Sequence, residues 1–320
     1  MVDRCVEGLE SLPAAARSCV LTIGNFDGVH RGHRRILATS AELGQAERAP
    51  VVAMTFEPPP DLVLRPGDAP LRVVPPEVKY RLLREAQADW VVVARADRAL
   101  LGLTAAEFIE QVIVRRFAPR HVVEGANFLF GRGRTGDVDT LRAAGEAAGF
   151  AVHVAEPVRA ELPEGPRAVS STLIRGLVSA GRVADAALCL GRDYALYGRV
   201  VTGEGMGGLL GFPTANLSPG EQVCPGDGVY AGRAAVAGRT YAAAISVGTR
   251  PTFSDGRAAG RSVEAFLLNA EGDFYDEEMV LSLACRLRDQ ERFDSAEALK
   301  DQMERDVRRV REICEDRGAP

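Results

Sequence analysis

The segment that decides the fold reads Thr22-Ile-Gly-Asn-Phe-Asp-Gly-Val-His-Arg-Gly-His33. The apolar run Val20–Ile23 leads into it, and a helical pattern with an apolar face, Arg34–Leu43, follows it. These pieces predict a strand, a glycine-rich turn and a helix. The glycines would let the backbone approach a ligand closely, and free N–H groups at a helix start favour an anion, phosphate above all.

Two histidines at this turn suit phosphate chemistry. His30 and His33 are two of the four histidines in the chain and lie three residues apart. An imidazole there can donate to phosphate oxygens and stabilise charge as a bond breaks. The simpler alternative is a strand–helix turn with surface histidines, and the ten-residue pattern GNFDGVHRGH as a unit argues against it.

Length and composition bound the remaining possibilities. A chain of 320 residues suggests two domains, and its net charge of −5 argues against a nucleic-acid partner. The sequence predicts no membrane partner, because no apolar run is long enough to span a bilayer and the first ten residues lack a signal-peptide pattern. Six scattered cysteines without a C-x-x-C pair predict reduced thiols in a cytoplasmic protein.

Strand-like and helix-like segments alternate through the first half of the chain. The predicted strands are Val20–Ile23, Val51–Phe56, Trp90–Ala94, His121–Glu124 and Ala151–Val154. The predicted helices between them include Glu77–Ala88, Thr104–Arg116 and Asp137–Ala148. This alternation predicts a buried parallel sheet covered by helices, with ligands beyond the carboxyl ends of its strands.

The second half has a different pattern. Two helical segments, Ser171–Ala180 and Val183–Cys189, precede a glycine-rich region of short β-like runs that predicts a small antiparallel barrel. The runs are Ala195–Val201, Gly228–Val236, Arg239–Val247, Ser262–Leu268 and Val280–Leu287. Asp294 is predicted to cap a final helix that ends near Cys314. We therefore predict two domains, 1–190 and 191–320.

Several motifs together resemble one family. The first segment resembles the nucleotidyltransferase signature G-x-F-D-G-x-H-x-G-H. The motifs that follow it in family order are Ser170–Arg175 (S-S-T-x-I-R), Gly211–Asn216 (the flavokinase P-T-A-N loop), Gly228–Ala231, Val247–Phe253 and Val263–Leu268. Taken together, nearly the whole chain resembles the bacterial bifunctional riboflavin kinase/FAD synthetases.

The resemblance implies a fold and two reactions. The fold would be a Rossmann-like α/β nucleotidyltransferase domain with a parallel sheet, followed by a small antiparallel β-barrel flavokinase domain with a C-terminal helix. The barrel would use Mg²⁺ and ATP to phosphorylate riboflavin to FMN. The first domain would adenylylate FMN to FAD and release pyrophosphate. The implied ligands are riboflavin, FMN, ATP and Mg²⁺.

The resemblance also assigns roles to residues. In the transferase domain it implies catalytic roles for His30, His33 and Arg175, and nucleotide contacts from Gly24, Phe26, Asp27, Gly28, Gly32, Asn127, Ser171 and Thr172. In the kinase domain it implies nucleotide contacts from Gly211, Thr214 and Asn216, with Thr214 and Asn216 at the magnesium and Glu264 as the base. From the residues alone, an ordinary N-cap at the serines and a solvent-facing Glu264 stay open.

Two G-x-G-x-x-G strings are weaker signals of nucleotide binding. Gly203, Gly205 and Gly208 are followed by Gly211-Phe-Pro213, so no helix opens there. Gly131, Gly133 and Gly136 precede a helix, but the residues before them have a loop-like pattern. A simple turn remains the alternative for this second group.

The chain departs from the family pattern at four positions. Pro59 stands where a histidine is usual, Met206 where an arginine is usual, Phe266 where a histidine is often found, and Asn269 where an aspartate is common. The loss of a ring near the nucleotide predicts weakened adenylyl transfer. The alternatives are therefore a specialised paralogue with one active domain, above all a kinase on a degenerate transferase scaffold, or a non-catalytic flavin-binding protein.

Overall fold

The computed structural model describes residues 4–202, 214–249 and 261–318. Two compact units divide the chain. The first contains Met1–Pro70, Pro76–Ala160 and Gly165–Ser170, and the second contains Leu71–Pro75, Glu161–Glu164 and Ser171–Pro320. The chain passes between the units more than once, because the short segments Leu71–Pro75 and Glu161–Glu164 belong to the second unit.

A six-stranded parallel sheet forms the centre of the first unit; the alternating pattern predicted a parallel sheet and five of its strands, but not the first, Cys5–Glu7. Its strands are β1 (Cys5–Glu7), β2 (Val20–Ile23), β3 (Val51–Glu57), β4 (Trp90–Arg95), β5 (His121–Gly125) and β6 (Ala151–Ala155). The spatial order is β1-β4-β3-β2-β5-β6, and every pair is parallel. After β2, the strands β3 and β4 are added on one side of it, whereas β5 and β6 are added on the other side. The strand order therefore reverses between β2 and β5. A crevice for ligands is expected at the carboxyl ends of these two strands.

Helices cover this sheet. They are α1 (Arg31–Glu47), α2 (Pro60–Leu64), α3 (Pro76–Glu85), α4 (Arg98–Leu101), α5 (Ala105–Phe108) and α6 (Val138–Ala148), and α5 continues as a π-helix over Ile109–Phe117. Thr104 and Glu107 form a capping box at the start of α5. The main core lies on one face of the sheet, where strand residues such as Leu21 and Val122 pack with Ile113 and Phe117.

A two-stranded sheet, β7 (Arg159–Leu162) with β8 (Gly165–Ala168), comes next along the chain. The sequence did not predict it, because these strands are short and largely polar. Helices α7 (Ser171–Ser179) and α8 (Val183–Leu190) follow and belong to the second unit. Their bounds agree closely with the predicted helical segments.

A closed antiparallel barrel forms the second unit, as predicted. Its strands are β9 (Tyr194–Val201), β10 (Thr214–Ser218), β11 (Gly228–Val236), β12 (Arg239–Thr249), β13 (Arg261–Leu267) and β14 (Glu278–Arg288), in the closed order β10-β13-β12-β11-β14-β9. Alternate residues of β13, such as Val263, Ala265 and Leu267, are buried with Ala243 and Ile245 of β12 and fill the interior. The intervening positions face outward.

The C-terminal helix α9 (Ala296–Asp316) packs on the outside of the barrel through a cluster that contains Val310 and Cys314. The predicted cap at Asp294 is wrong by one position, because the Ser295 side chain accepts the Ala298 N–H at 3.1 Å. Serine and aspartate are both good N-caps, so the sequence alone could not choose between these neighbours.

Candidate functional site

The turn after β2 has an unusual backbone. The N–H of Gly24 still bonds to Met54 O of β3, and the chain then turns with positive φ at Phe26 (49°), Gly28 (82°) and Val29 (38°). The N–H of Val29 donates to Phe26 O at 3.0 Å and closes the turn. A β-branched residue at positive φ is strained, and such strain is usually retained where the backbone serves a ligand.

His30 and His33 form a stacked pair at the start of α1. Their ring centroids lie 3.6 Å apart with planes at 15°, and the Phe26 ring meets His33 edge-on at 5.2 Å. His30 is the N-cap, and its Nδ1 accepts the His33 N–H at 3.3 Å. In a neutral His30 the ring proton is therefore on Nε2, which is a donor.

Burial sets the charge state of His33. Desolvation is the main cause that lowers its pKa well below the usual value, and the charges of His30 and Lys79 lower it further. The ring is therefore neutral at neutral pH. A neutral imidazole keeps one N–H to donate to a phosphate oxygen and adds no unpaired buried charge to the free protein.

Four buried polar atoms near this turn in sequence have no hydrogen-bond partner within the described residues. They are Thr22 Oγ1, Asn25 Oδ1, His33 Nδ1 and Arg34 Nε. Buried polar groups in folded proteins are nearly always paired. Their concentration in one thirteen-residue segment, which contains the predicted phosphate motif, indicates that a polar ligand completes the site.

Two glycines of the motif are closely packed against neighbouring rings. A Cβ on Gly32 would lie 3.1 Å from Cε1 and Nδ1 of His30, and a Cβ on Gly24 would lie 3.2 Å from the Phe26 ring. Any side chain at these positions would displace the ring that packs there. The buried Asp27 lies between Phe26 and Gly28 in the same turn. The structure thus brings together, on one turn, Gly24, Phe26, Asp27, Gly28, His30, Gly32 and His33.

The remaining predicted contacts of the transferase domain lie elsewhere. Asn127 is exposed in the turn after β5. Ser170 ends the first unit, whereas Ser171, Thr172 and Arg175 occupy the first turns of α7 in the second unit. Pro59 directly precedes α2, two residues beyond the end of β3.

The glycines Gly131, Gly133 and Gly136 do not follow a strand. Gly131 and Gly133 have positive φ on either side of Arg132, and Phe130 and Gly136 form an isolated bridge. The structure therefore favours the simple turn over a dinucleotide-binding fingerprint. Gly203, Gly205 and Gly208 lie outside the described residues.

Sequence reasoning missed two buried charged residues in the first unit. Lys79 of α3 is 3% exposed, and its Nζ donates to Phe56 O at 3.2 Å and lies 4.0 Å from Glu57 Oε2. Its position was readable, because Leu82 and Leu83 follow at the helical spacings i+3 and i+4. Glu124 of β5 is 2% exposed, and its Oε1 accepts the Ile23 N–H at 2.6 Å. The signal for it was a carboxylate at the end of a predicted buried strand.

The predicted kinase residues meet on the outer face of the barrel. In the register of β10 with β13, Asn216 lies opposite Glu264 and Thr214 lies opposite Phe266. Side chains two residues apart on a strand share a face, so the hydroxyl, the amide and the carboxylate point to the same side. The sequence had placed Thr214 and Asn216 on a loop; this is wrong, because they belong to β10, which pairs with both β13 and β9.

Two serines extend this polar surface. Ser262 Oγ donates to Glu264 Oε1 at 3.2 Å, and Ser246 lies opposite Glu264 on β12. Gln290 Nε2 donates to Ser246 Oγ at 3.4 Å. The carboxylate of Glu264 is thus held on a strand between two neighbouring strands, where a positioned acceptor could take a proton from an alcohol.

The donor set on β10 suits magnesium. A hydroxyl from Thr214 and an amide oxygen from Asn216 are hard oxygen ligands, and Mg²⁺ bound to ATP needs only one or two protein ligands. Asn216 is 6% exposed, so its oxygen lies in a partly dehydrated setting. Within residues 4–202, 214–249 and 261–318, no group of three or more His, Cys, Asp and Glu side chains could hold a metal ion.

Two family departures have structural explanations. Phe266 packs into the apolar cluster under α9, with Leu268 and Val310, so an aromatic ring there adds buried area. Asn269 has φ of 58° in the turn after β13, a conformation that asparagine tolerates well. Gly211 and Met206 lie outside the described residues.

Comparisons with known proteins agree with this geometry. A family model for FAD synthetase matches residues 12–173, and one for riboflavin kinase matches residues 190–314. The bifunctional riboflavin kinase/FMN adenylyltransferase of Escherichia coli strain K12 is 37% identical over 312 residues, which cover 97% of each chain. The protein of the same description from Pseudomonas fluorescens is 36% identical over 316 residues, again 97% of each chain.

A solved structure also shares the fold. The solved protein is described as a macrolide-efflux protein from Streptococcus pneumoniae and is 27% identical to this chain. The two superpose with a TM-score of 0.86 over 96% of this chain and 99% of the solved chain. Among the described helices, none combines the length and the apolar character needed to cross a membrane. From the two family models and the full-length relatives, we conclude that the chain belongs to the bifunctional riboflavin kinase/FMN adenylyltransferase family.

Proposed function

We propose that this chain makes FAD in two steps. The barrel phosphorylates riboflavin to FMN with ATP, and the α/β unit transfers the AMP moiety of a second ATP to FMN, with release of pyrophosphate. The observation that carries the proposal is that both polar sites are intact in one chain. The first is the stacked pair His30 and His33 in the first unit, and the second is Glu264 opposite Asn216 in the second.

In the kinase step, Glu264 accepts the proton of the ribityl 5′-hydroxyl as the oxygen attacks the γ-phosphorus of ATP, and ADP leaves. Thr214 and Asn216 would hold a Mg²⁺ ion, which when bound neutralises charge on the phosphates. Their position on the same barrel face as Glu264 supports this assignment. Ser262 holds one carboxylate oxygen of Glu264 by its hydrogen bond.

In the transfer step, an FMN phosphate oxygen attacks the α-phosphorus of ATP and the pyrophosphate oxygen leaves. His30, through Nε2–H, and His33 donate to phosphate oxygens whose charge grows in the transition state. The turn of Gly24 and Gly28 lets the nucleotide approach the backbone. The motif of Ser171, Thr172 and Arg175 supports their assignment to a second phosphate contact, because it offers hydroxyls, helix-start N–H groups and a guanidinium.

The test is a flavin assay on the pure full-length chain with riboflavin, ATP and Mg²⁺. We expect FMN to appear first and FAD to follow, with both separated and quantified by chromatography. Formation of FMN with no detectable FAD would refute the bifunctional proposal and leave a kinase on a degenerate transferase scaffold. Absence of both products would leave a flavin-binding protein.

We further propose that the protein works in the cytoplasm, where ATP is abundant. All six cysteines lie in the described part of the chain and none is in a disulfide bond, and Cys19, Cys189 and Cys314 are buried, which is typical of a reducing compartment. Fractionation of cells that carry an epitope-tagged chain would test this. Recovery with the membrane or secreted fraction would contradict it.

A further inference from the structure

Strands β2 and β5 separate at their carboxyl ends. The pairs Val20 with His121 and Leu21 with Val122 are in register, and the pairing stops there. On the other side β2 continues to pair with β3, up to Ile23 with Met54. Because the N–H groups of Val20 and Gly24 point to β3, the N–H of Ile23 points towards the gap that opens on the β5 side.

The side chain of Glu124 fills this gap. Its Oε1 accepts the Ile23 N–H at 2.6 Å, a bond between residues 101 positions apart in the chain. The side chain thus replaces the backbone carbonyl that would continue the ladder. Within the described residues, the Ile23 N–H is the one hydrogen-bond partner of this carboxyl group.

Burial determines the protonation state of Glu124. Desolvation raises the pKa of the carboxyl group well above its usual value, and the Ile23 hydrogen bond opposes this only in part. A neutral carboxylic acid avoids the large penalty for an unpaired buried charge. It still offers a carbonyl oxygen to Ile23 and keeps one O–H that can donate.

We propose that Glu124 is a positioning residue for adenylyl transfer, whose hydrogen bond spans the gap between β2 and β5 and fixes, through Ile23, the phosphate-binding turn that begins at Gly24. The inference rests on the proposed transferase function and adds a residue to its site. Among the described residues, the backbone pairing of β2 with β5 ends at Leu21, so the Glu124–Ile23 hydrogen bond is the last one between these strands before the turn.

The position of Ile23 is important for the phosphate-binding turn because the backbone of that turn is strained. Phe26 and Val29 hold positive φ within six residues of Ile23, and such conformations persist only where the surroundings over-determine them. An apolar residue at 124 would leave the Ile23 N–H buried and unpaired. A small displacement of the turn would then misplace the backbone and His30 against the phosphates, and displacements of about 1 Å can cost about 10²-fold in rate.

The alternative is that Glu124 merely fills space. Two substitutions of similar length separate the possibilities. Glu124→Gln keeps a neutral oxygen acceptor for Ile23, whereas Glu124→Met keeps the volume and loses the acceptor. Glu146→Met, at an exposed position of α6, is the control for adding a methionine to this unit.

We expect Glu124→Met to lower kcat/KM for FAD formation from FMN and ATP by about tenfold or more, the scale of one buried hydrogen bond. Glu124→Gln should restore it to within about threefold of wild type, and Glu146→Met should match wild type. FMN formation should be unchanged in all three. Activity of Glu124→Met within twofold of wild type, or equal losses in the Met and Gln variants, would overturn the proposal.

Hydrogen–deuterium exchange of the peptide that spans residues 22–30 gives a readout independent of activity. Its amides should exchange faster in Glu124→Met than in wild type and at the wild-type rate in Glu124→Gln, while the rest of the sheet is unaffected. If wild type makes no FAD, the proposed transferase function fails, and the exchange comparison still decides whether Glu124 holds the turn. Unchanged exchange in Glu124→Met refutes the proposal in either case.

Discussion

At the scale of single residues, the proposed transferase site would depend on neutral donors. His33 is half-buried, and desolvation followed by the charges of His30 and Lys79 keeps its pKa well below the usual value. A positive ring would attract phosphate more strongly, but it would have no counter-charge before substrate binds. The stacked geometry instead fixes two imidazoles in place, so that little reorganisation is needed when phosphate charge develops.

Loss of one donor should therefore affect one reaction only. We expect His33→Ala to reduce FAD formation from FMN by about 10²–10³-fold, the range for a pre-organised oxyanion donor. Phosphorylation of riboflavin should continue at the wild-type rate. The measurement is the initial rate of each step with its own flavin supplied. An equal decrease of both rates would indicate a folding defect instead of a catalytic role.

Position 59 offers a gain-of-function test. Pro59 follows β3 at the same sheet edge as the turn after β2, because β2 and β3 are parallel neighbours. We expect Pro59→His to add a ring donor beside the nucleotide and to raise the FAD-forming rate by up to about tenfold, less than a fully pre-organised donor gives. Pro59→Ala is the matched control for removing the proline alone. A gain of the same size in Pro59→Ala would assign the effect to backbone freedom.

Substitution of Glu264 tests the proposed general base of the kinase reaction in the barrel. Replacement by glutamine keeps the size and the hydrogen bond from Ser262 but removes the basic carboxylate. We expect Glu264→Gln to slow FMN formation by about 10²-fold or more, as for loss of a general base. FAD formation from supplied FMN should be unaffected. Glu278→Gln, at an exposed position of β14, is the control, and a wild-type FMN rate in Glu264→Gln would remove Glu264 from the mechanism.

At the scale of secondary-structure elements, a second histidine pair links β5 to β6. His121 Nδ1 and His153 Nε2 lie 3.0 Å apart, so one ring donates to the other and the pair shares a proton. Burial first, and the charge of His121 second, lower the pKa of His153 below its usual value. Protonation of both rings would place two positive charges in contact.

This pair should make the first unit sensitive to acid. A histidine whose pKa is lower in the folded than in the unfolded state contributes stability above the unfolded value of about 6.5, and this stability is lost as the pH falls through that value towards the folded pKa. We expect His153→Gln to lose less stability than wild type between about pH 7.5 and about pH 5.5. Urea denaturation at the two pH values measures the difference. An identical loss in both proteins would show that the pair does not contribute.

The elements also show what the sequence could and could not predict. Buried parallel strands such as Val51–Glu57 are continuous apolar runs, so their positions were predictable to within a residue. Thr214–Ser218 is short and polar, and only pairing with β9 and β13, distant in the chain, makes it a strand. Periodicity likewise indicates that Glu124 lies on a strand, but the gap its side chain fills exists only once β2 and β5 are assembled.

At the scale of the whole molecule, the sequence and the packing place the boundary of the barrel domain at different residues. The sequence predicts a boundary at residues 190 and 191, and the riboflavin kinase family model begins at residue 190. The main segment of the compact unit that contains the barrel begins instead at Ser171 and includes α7 and α8. Buried residues of α8, among them Val183 and Leu190, pack beside β9 and β14, and the N–H of Gly226 donates to Val178 O of α7.

Two fragments should distinguish these boundaries. We propose that residues 191–320 suffice for riboflavin phosphorylation, since Thr214, Asn216 and Glu264 all lie within them. The packing of α8 nonetheless predicts that residues 171–320 are the more stable fragment, because each fully buried Val or Leu contributes about 1.5–3 kcal/mol. Thermal unfolding and FMN formation should be measured on both fragments and on the full chain.

We expect residues 171–320 to unfold cooperatively and to form FMN close to the full-length rate, with residues 191–320 active but less stable.

Both fragments lack Leu71–Pro75, whose residues Arg72 and Val73 form hydrogen bonds with the segment 221–223 in the intact chain. Adding a peptide of residues 71–75 in trans tests whether this segment is needed for stability or for FMN formation. Equal stability of the two fragments would show that α7 and α8 contribute nothing to the barrel. A folded 171–320 fragment that forms no FMN even with the added peptide would show that the kinase requires further parts of the chain before residue 171.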